Sequence, residues 1–253
     1  MPITLTQLII ILPLVSAAAF IQGMVGFAFG IFAVPAMTLA GMPLQHAVAV
    51  SVGATMMQTA WASWRLRDDI PWREATVATV ARSIFLILGV WLLAHQLAPR
   101  PDLAKQVLGG ALLTIVGVLW LMRVRPREHL HPLWAVLAFP LSGIMAGLFG
   151  MGGPPMILWA TAHHWDTRRT RAFLLMTFFA ACPIQIATLC YMFGMPVAFL
   201  IAIGAAMLPG IALGTHFGIQ LGHRLSPARL RTVAFAILSV MALNAIIVPL
   251  LSR

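Results

Sequence analysis

The sequence predicts an all-α polytopic membrane protein made of two inverted repeats of about 125 residues, each a glycine-broken helical hairpin followed by three transmembrane helices. Three observations lead there. The chain of 253 residues is 61% hydrophobic and only 9% charged, whereas soluble domains average roughly 45–50% apolar and about 25% charged. Two of its apolar runs are too long for one crossing, and each carries glycines at its middle. Its basic residues fall mostly between particular apolar runs rather than evenly along the chain. So few charges cannot cover a water-exposed core of this size, whereas a lipid-facing surface needs no such cover.

Taken in chain order, the first run is Leu5 to Ala40, which as one helix would be about 54 Å long against a hydrocarbon core of about 30 Å. It reads as a helix, a break at Gly23-Met-Val-Gly26-Phe-Ala-Phe-Gly30, and a second, shorter helix holding Pro35. Spans of ordinary length follow at Ala47 to Trp64, Ala75 to Ala94 and Gln106 to Met122. The second long run, Leu133 to Ala162, breaks at Gly147-Leu-Phe-Gly150-Met-Gly152-Gly153-Pro154-Pro155. Three more spans come after it, at Ala172 to Phe193, Val197 to Leu221 and Thr232 to Leu251. Cys182 and Cys190 lie eight apart in one run, about 12 Å along a helix and beyond disulfide reach, and read as packing residues. Leu5 to Phe20 has no basic residue before it and reads as mature fold rather than a signal peptide.

The order of elements repeats, and so do small residues. Ala19, Gly23 and Gly26 answer Gly143, Gly147 and Gly150 at an offset of 124, and Pro71 and Gly89 answer Pro196 and Gly214 at 125. Domain boundaries are therefore expected at residues 1–125 and 126–253. Loop charge tests the number of crossings. If each long run turns back to the face where it began, one face collects Arg65, Arg67, Arg73, Arg123, Arg125, Arg127, Arg168, Arg169, Arg171, Arg224, Arg229 and Arg231, and the other keeps Arg100, Lys105 and Arg253. If both runs crossed once, the bias would vanish. The positive-inside rule selects the first arrangement, with the second repeat inverted and both termini outside. Two short crossings in each long run would give the same parity. The formal charge of +10 is then a topology signal, and nucleic acid is not an expected partner.

A chain break at membrane depth is tolerated where protein buries it or a watery cavity meets it, and paired broken segments point to a transporter's binding site. Glycine permits sharp turns and close backbone approach. The prolines suit the first turn of the helix after each break, whose free amides and positive dipole end favour an anion. Gly26, Gly30, Gly150, Gly152, Gly153 and Pro154 are the expected backbone site. Beside each break runs a polar stripe, Ser51, Thr55, Gln58 and Ala62 in one half and Thr177, Ala181, Gln185 and Thr188 in the other. Gln58 and Gln185 are its informative members, because an amide inside a span must find a partner across an interface or in a cavity. All six acids, Asp68, Asp69, Glu74, Asp102, Glu128 and Asp166, fall in loops or at helix ends, which disfavours a cation transporter. Arg82 is the one basic residue inside a span. It draws an anion into the pathway or snorkels to the interface. No constellation supports catalysis, a metal site or a cofactor, so an enzyme is not expected.

The stretch Ser142-Gly143-Ile-Met-Ala-Gly147-Leu-Phe-Gly150-Met-Gly152-Gly153-Pro154-Pro155 closely resembles the second-repeat signature of the TauE/SafE sulfite exporter family of bacterial membrane permeases. Gly23 to Pro35, Gly41 followed by Ala47, and Trp64-Arg-Leu-Arg-Asp-Asp-Ile-Pro-Trp-Arg73 are similar to its first repeat. The resemblance implies a duplicated four-segment fold and movement of sulfite, sulfonates or related small anions. Where that family usually has a run of glycines, this chain has Phe27-Ala28-Phe29, a bulkier pocket wall. The expected protein is thus a multi-pass permease of the bacterial inner membrane, with the lipid bilayer and a small anion as partners. Association with a second copy of the chain is left open by the sequence. The competing reading is a membrane-embedded accessory or assembly subunit that moves no solute itself.

Overall fold

A computed structural model describes residues 5–25, 29–121, 130–222 and 227–251. The described residues form helices and no strands, as an apolar chain must when no water is present to satisfy its backbone. The first long run is two helices, α1 (Leu5–Val25) and α2 (Phe29–Leu39). Helices α3 (Leu44–Arg65), α4 (Trp72–Leu92) and α5 (Pro101–Leu121) follow. The second long run divides likewise into α6 (Leu133–Phe149) and α7 (Gly153–Thr161). The chain then forms α8 (Thr167–Phe193), α9 (Met195–Ala206), α10 (Leu208–Gly222) and α11 (Pro227–Leu251).

Four stretches among the described residues are long and apolar enough to cross a bilayer: Trp72–Leu97, Pro101–Leu121, Thr167–Phe193 and Thr232–Pro249. The protein is a multi-pass membrane protein. At about 1.5 Å per residue, α2 and α7 are only about 16 and 13 Å long, half of the roughly 30 Å hydrocarbon core. Helix α3 is long enough to cross but carries a polar stripe, and most of its N-terminal half is buried in the protein. Outward-facing side chains such as Val80, Ile84, Leu213 and Val240 are exposed and meet lipid rather than water.

Two expectations change. Val197 to Leu221 is not one straight span: α9 and α10 meet at an angle of 45°. Pro209 has no amide hydrogen to give Ala205, so the helical ladder cannot run through. It closes at Met207, whose N–H donates to Ile203 O and Gly204 O at 3.1 and 3.3 Å. Pro35 lies in the middle of α2, because that helix starts six residues before it; of the prolines that follow the two breaks, Pro154 and Pro155 occupy a first turn.

The helices pair in a definite pattern. Helix α1 packs on α10 and α4 on α6, α3 crosses α9 while α4 crosses α8, and α3 meets α8 as α5 meets α11. Asp166 caps α8 by accepting the Arg169 N–H at 2.8 Å. Beside it, Arg168 reaches Asp69 in the α3–α4 connection at 3.0 Å.

Candidate functional site

The two breaks converge. Gly30, in the first turn of α2, lies so close to the Gly150 carbonyl that a Cβ there would overlap it. Gly150 ends α6 in the left-handed region, φ 66°, which a side chain disfavours. Its N–H donates to Ala146 O at 2.8 Å, and the Met151 N–H returns to Met145 O at 3.2 Å. Val34 and Val48 lie against this contact and, with Met37, are fully buried. That side of the junction is packed shut.

The other side opens into a cavity of about 420 Å³. Gly30, Gly150, Gly152 and Gly153 line it, together with Gln58, Gln185 and Arg82. Pro154 does not reach it and is buried behind the break; Gly26 lies outside the described residues. Ser51 and Thr55 of α3 and the stripe Arg171, Leu174, Leu175, Phe178, Cys182 and Gln185 of α8 complete much of the wall. No Asp or Glu is among the described residues that line it.

Arg82 does not snorkel. Its side chain is 5% exposed and its guanidinium lies 4.8 Å from the centre of the Phe178 ring. One nitrogen, Nη1, donates to Thr177 O at 3.4 Å, and buried Nε has no hydrogen-bond partner among the described residues. Nη2 sits where a Cβ on Gly152 would be, 2.7 Å away. The same Cβ would stand 2.6 Å from Ser142 O, so only glycine fits between α6 and Arg82. Ser142, fully buried, donates its hydroxyl to Gly152 O at 2.5 Å. The Gly152 and Gly153 N–H groups have no acceptor among the described residues. The next two positions are prolines, so these amides are the donors that the start of α7 presents. A buried guanidinium and free amides without a carboxylate make an environment for an anion.

Gln185 donates to Ala146 O at 2.7 Å, tying α8 to the end of α6 just before its break. Gln58 donates to Gln22 Oε1 at 2.9 Å and reaches Thr215 Oγ1 at 3.5 Å. Gln22, Thr215 and Arg171 are wall residues that the sequence does not single out. Gln22 lies one residue before the Gly23 break. Arg171 reads as a loop charge, yet it begins the seven- and fourteen-residue spacing that runs through Phe178 to Gln185 on one face of α8. His216 is exposed and pairs with Gln220 at 2.9 Å, away from the cavity.

Comparison with known proteins adds the following. The family profile described as sulfite exporter TauE/SafE matches residues 11–245. A curated protein of Cupriavidus necator, described as a probable sulfite/organosulfonate exporter TauE, is 22% identical over 227 residues, which cover 89% of this chain and 88% of that protein. No solved structure matches.

Proposed function

Because the chain belongs to the sulfite exporter TauE/SafE family, we propose that it is a permease that exports small anions, namely sulfite, sulfonates or related organosulfur anions, across the bacterial inner membrane. The observation that carries the reading is Arg82: a buried cation with no acidic partner among the described residues, lining a cavity without carboxylates. Leaving such a charge uncompensated costs several kcal/mol, and a bound anion supplies the missing partner. The charged group sits between Arg82 and the Gly152 and Gly153 amides, with Gly26, Gly30 and Gly150 shaping the space and Gln185 and Gln58 on the walls.

The helix pairings support two inverted repeats, residues 1–125 and 126–253. Exchanging the halves turns α1 on α10 into α6 on α4, and α3 on α9 into α8 on α4. The cavity reaches exposed Arg171 at the start of α8, so it opens toward the arginine-rich, cytoplasmic side, and the valines at the Gly30–Gly150 contact close the other. Exposed Trp61, Trp64 and Trp72, around the first arginine cluster, suit a membrane interface. Export needs no coupling ion: moving one charge across 100 mV is worth about 2.3 kcal/mol, roughly fiftyfold in concentration.

Flux tests this directly. Proteoliposomes carrying the protein should pass sulfite or a sulfonate in response to an imposed potential, and protein-free vesicles should not. Absence of flux for every small anion tried would end the transport reading. Gly152→Leu and Gly153→Leu should abolish flux while membrane insertion persists; an accessory subunit would instead respond through partner binding.

A further inference from the structure

The cavity has two polar clusters of different character, and the charged group of the anion occupies only one. Arg82 is held by Thr177, Phe178 and Gly152, from α8 and the second break. Gln58 is held by Gln22 of α1 and Thr215 of α10. The clusters share none of these partners. Ser51 stands near the Gly30–Gly150 contact, and Gln58 lies seven residues further along α3, about 10 Å by helical rise.

The amide pair is only partly satisfied. A glutamine offers two N–H donors and a carbonyl acceptor. The Gln58–Gln22 bond uses the nitrogen of one and the oxygen of the other. It leaves Gln58 Oε1 and the Gln22 amide nitrogen without hydrogen-bond partners among the described residues. Turning both amides over exchanges these roles and still leaves one acceptor and one donor group. Both glutamines line the cavity, where a ligand can reach them. Unsatisfied polar groups inside a membrane protein cost about 1–3 kcal/mol each, so water or a ligand meets them.

Size points to a ligand longer than a bare oxyanion. The cavity is about 420 Å³, and a water in the liquid occupies roughly 30 Å³, so an oxyanion of a few heavy atoms leaves most of the space unfilled. The space takes an anion whose charged end lies at Arg82 and whose carbon tail points toward Gln58, both of which line it. At the far end a hydroxyl, which both donates and accepts, matches the paired amides, and a primary amide does so equally. An ammonium would find no carboxylate there.

We propose that Gln22, with Gln58 and Thr215, forms a second subsite that hydrogen-bonds the uncharged far end of the transported anion and selects hydroxyl- or amide-bearing organic anions over alkyl ones. This rests on the anion-permease reading. The probes are 2-hydroxyethanesulfonate, 1-propanesulfonate, which matches its heavy-atom count without the hydroxyl, and sulfite, each bound to the purified full-length protein.

The wild type should bind the hydroxy compound roughly fivefold more tightly than the propane compound, the worth of one net hydrogen bond. Gln22→Met should remove that preference and leave sulfite affinity within about twofold. Equal binding of the two sulfonates by the wild type overturns the subsite, as does equal weakening of all three anions in Gln22→Met. The wild-type comparison decides even if the variant does not fold. Sulfonates that bind equally but lose binding in Arg82→Gln would sink the subsite and leave the permease standing. If none of the three anions binds, both fall.

Discussion

Arg82 makes a prediction whose two parts carry opposite signs. Charge-assisted hydrogen bonds are worth about 1.5–3 kcal/mol, so Arg82→Gln should weaken anion binding roughly 10- to 100-fold. It also removes a buried, uncompensated charge, so the anion-free variant should melt no lower than the wild type, and higher if the amide finds Thr177 O. Thermal melts with and without sulfite read both; lower anion-free stability together with unchanged affinity would make Arg82 structural. His163 makes a separate prediction outside the spans. Its ring lies between Trp159 and Trp165, with centroids 4.2 and 4.4 Å away. Burial, opposed by its bond to Trp159 O and by Glu74, lowers its pKa below the ordinary 6.5. The fold therefore favours the neutral ring, and the unfolded chain takes up a proton first as pH falls. Stability present above pH 6.5 should decline as pH drops below it, and His163→Phe should flatten that part of the curve. Arg82, Gln58 and Gln185 were legible in the sequence because polar residues inside apolar runs stand out. Gln22 was not, since its partner Gln58 is 36 residues away, and no local spacing relates residues that meet only through helix packing.

At the level of elements, the broken helices were legible from length alone: 36 apolar residues cannot be one crossing, and the glycines mark where each run divides. Less visible was the start of α2, because Pro35 looked like a first-turn proline; a proline within a helix removes one hydrogen bond and is tolerated where neighbouring helices enclose it. The bend at Met207 was hidden because Val197 to Leu221 has a suitable length and its Pro209 stands in an otherwise apolar run. The Gly30–Gly150 contact yields a test of how the broken elements work. In Gly30→Ala the new methyl meets the Gly150 carbonyl, which is backbone and cannot rotate away. The tips must separate, so flux should fall at least tenfold while helical content by circular dichroism stays unchanged. Gly110 has open space around it, and Gly110→Ala should leave flux near wild type. Equal flux in the two variants would remove the tip contact from the transport path.

For the whole molecule, the proposed inverted topology places the α2–α3 turn outside and the start of α8 inside. With Cys182 and Cys190 replaced by serine, a cysteine at Met42 should react with an impermeant reagent added to intact cells, and one at Arg168 should react only after permeabilisation. Strong labelling at 168, or none at 42, contradicts that topology. The arginine distribution is the sequence argument for this proposed orientation, but it does not say which helices touch, because lipid and protein neighbours are both apolar and hydropathy does not separate them. The pairing of α1 with α10 also sets a schedule for biogenesis. About 180 residues lie between Val25 and Leu208, and ribosomes add roughly 5–20 residues per second. Helix α1 therefore waits about 10–40 s in the membrane before its partner is made, with Gln22 lacking Gln58 for the first part of that time. During that interval the insertion machinery, not the finished fold, has to shelter the Gln22 amide.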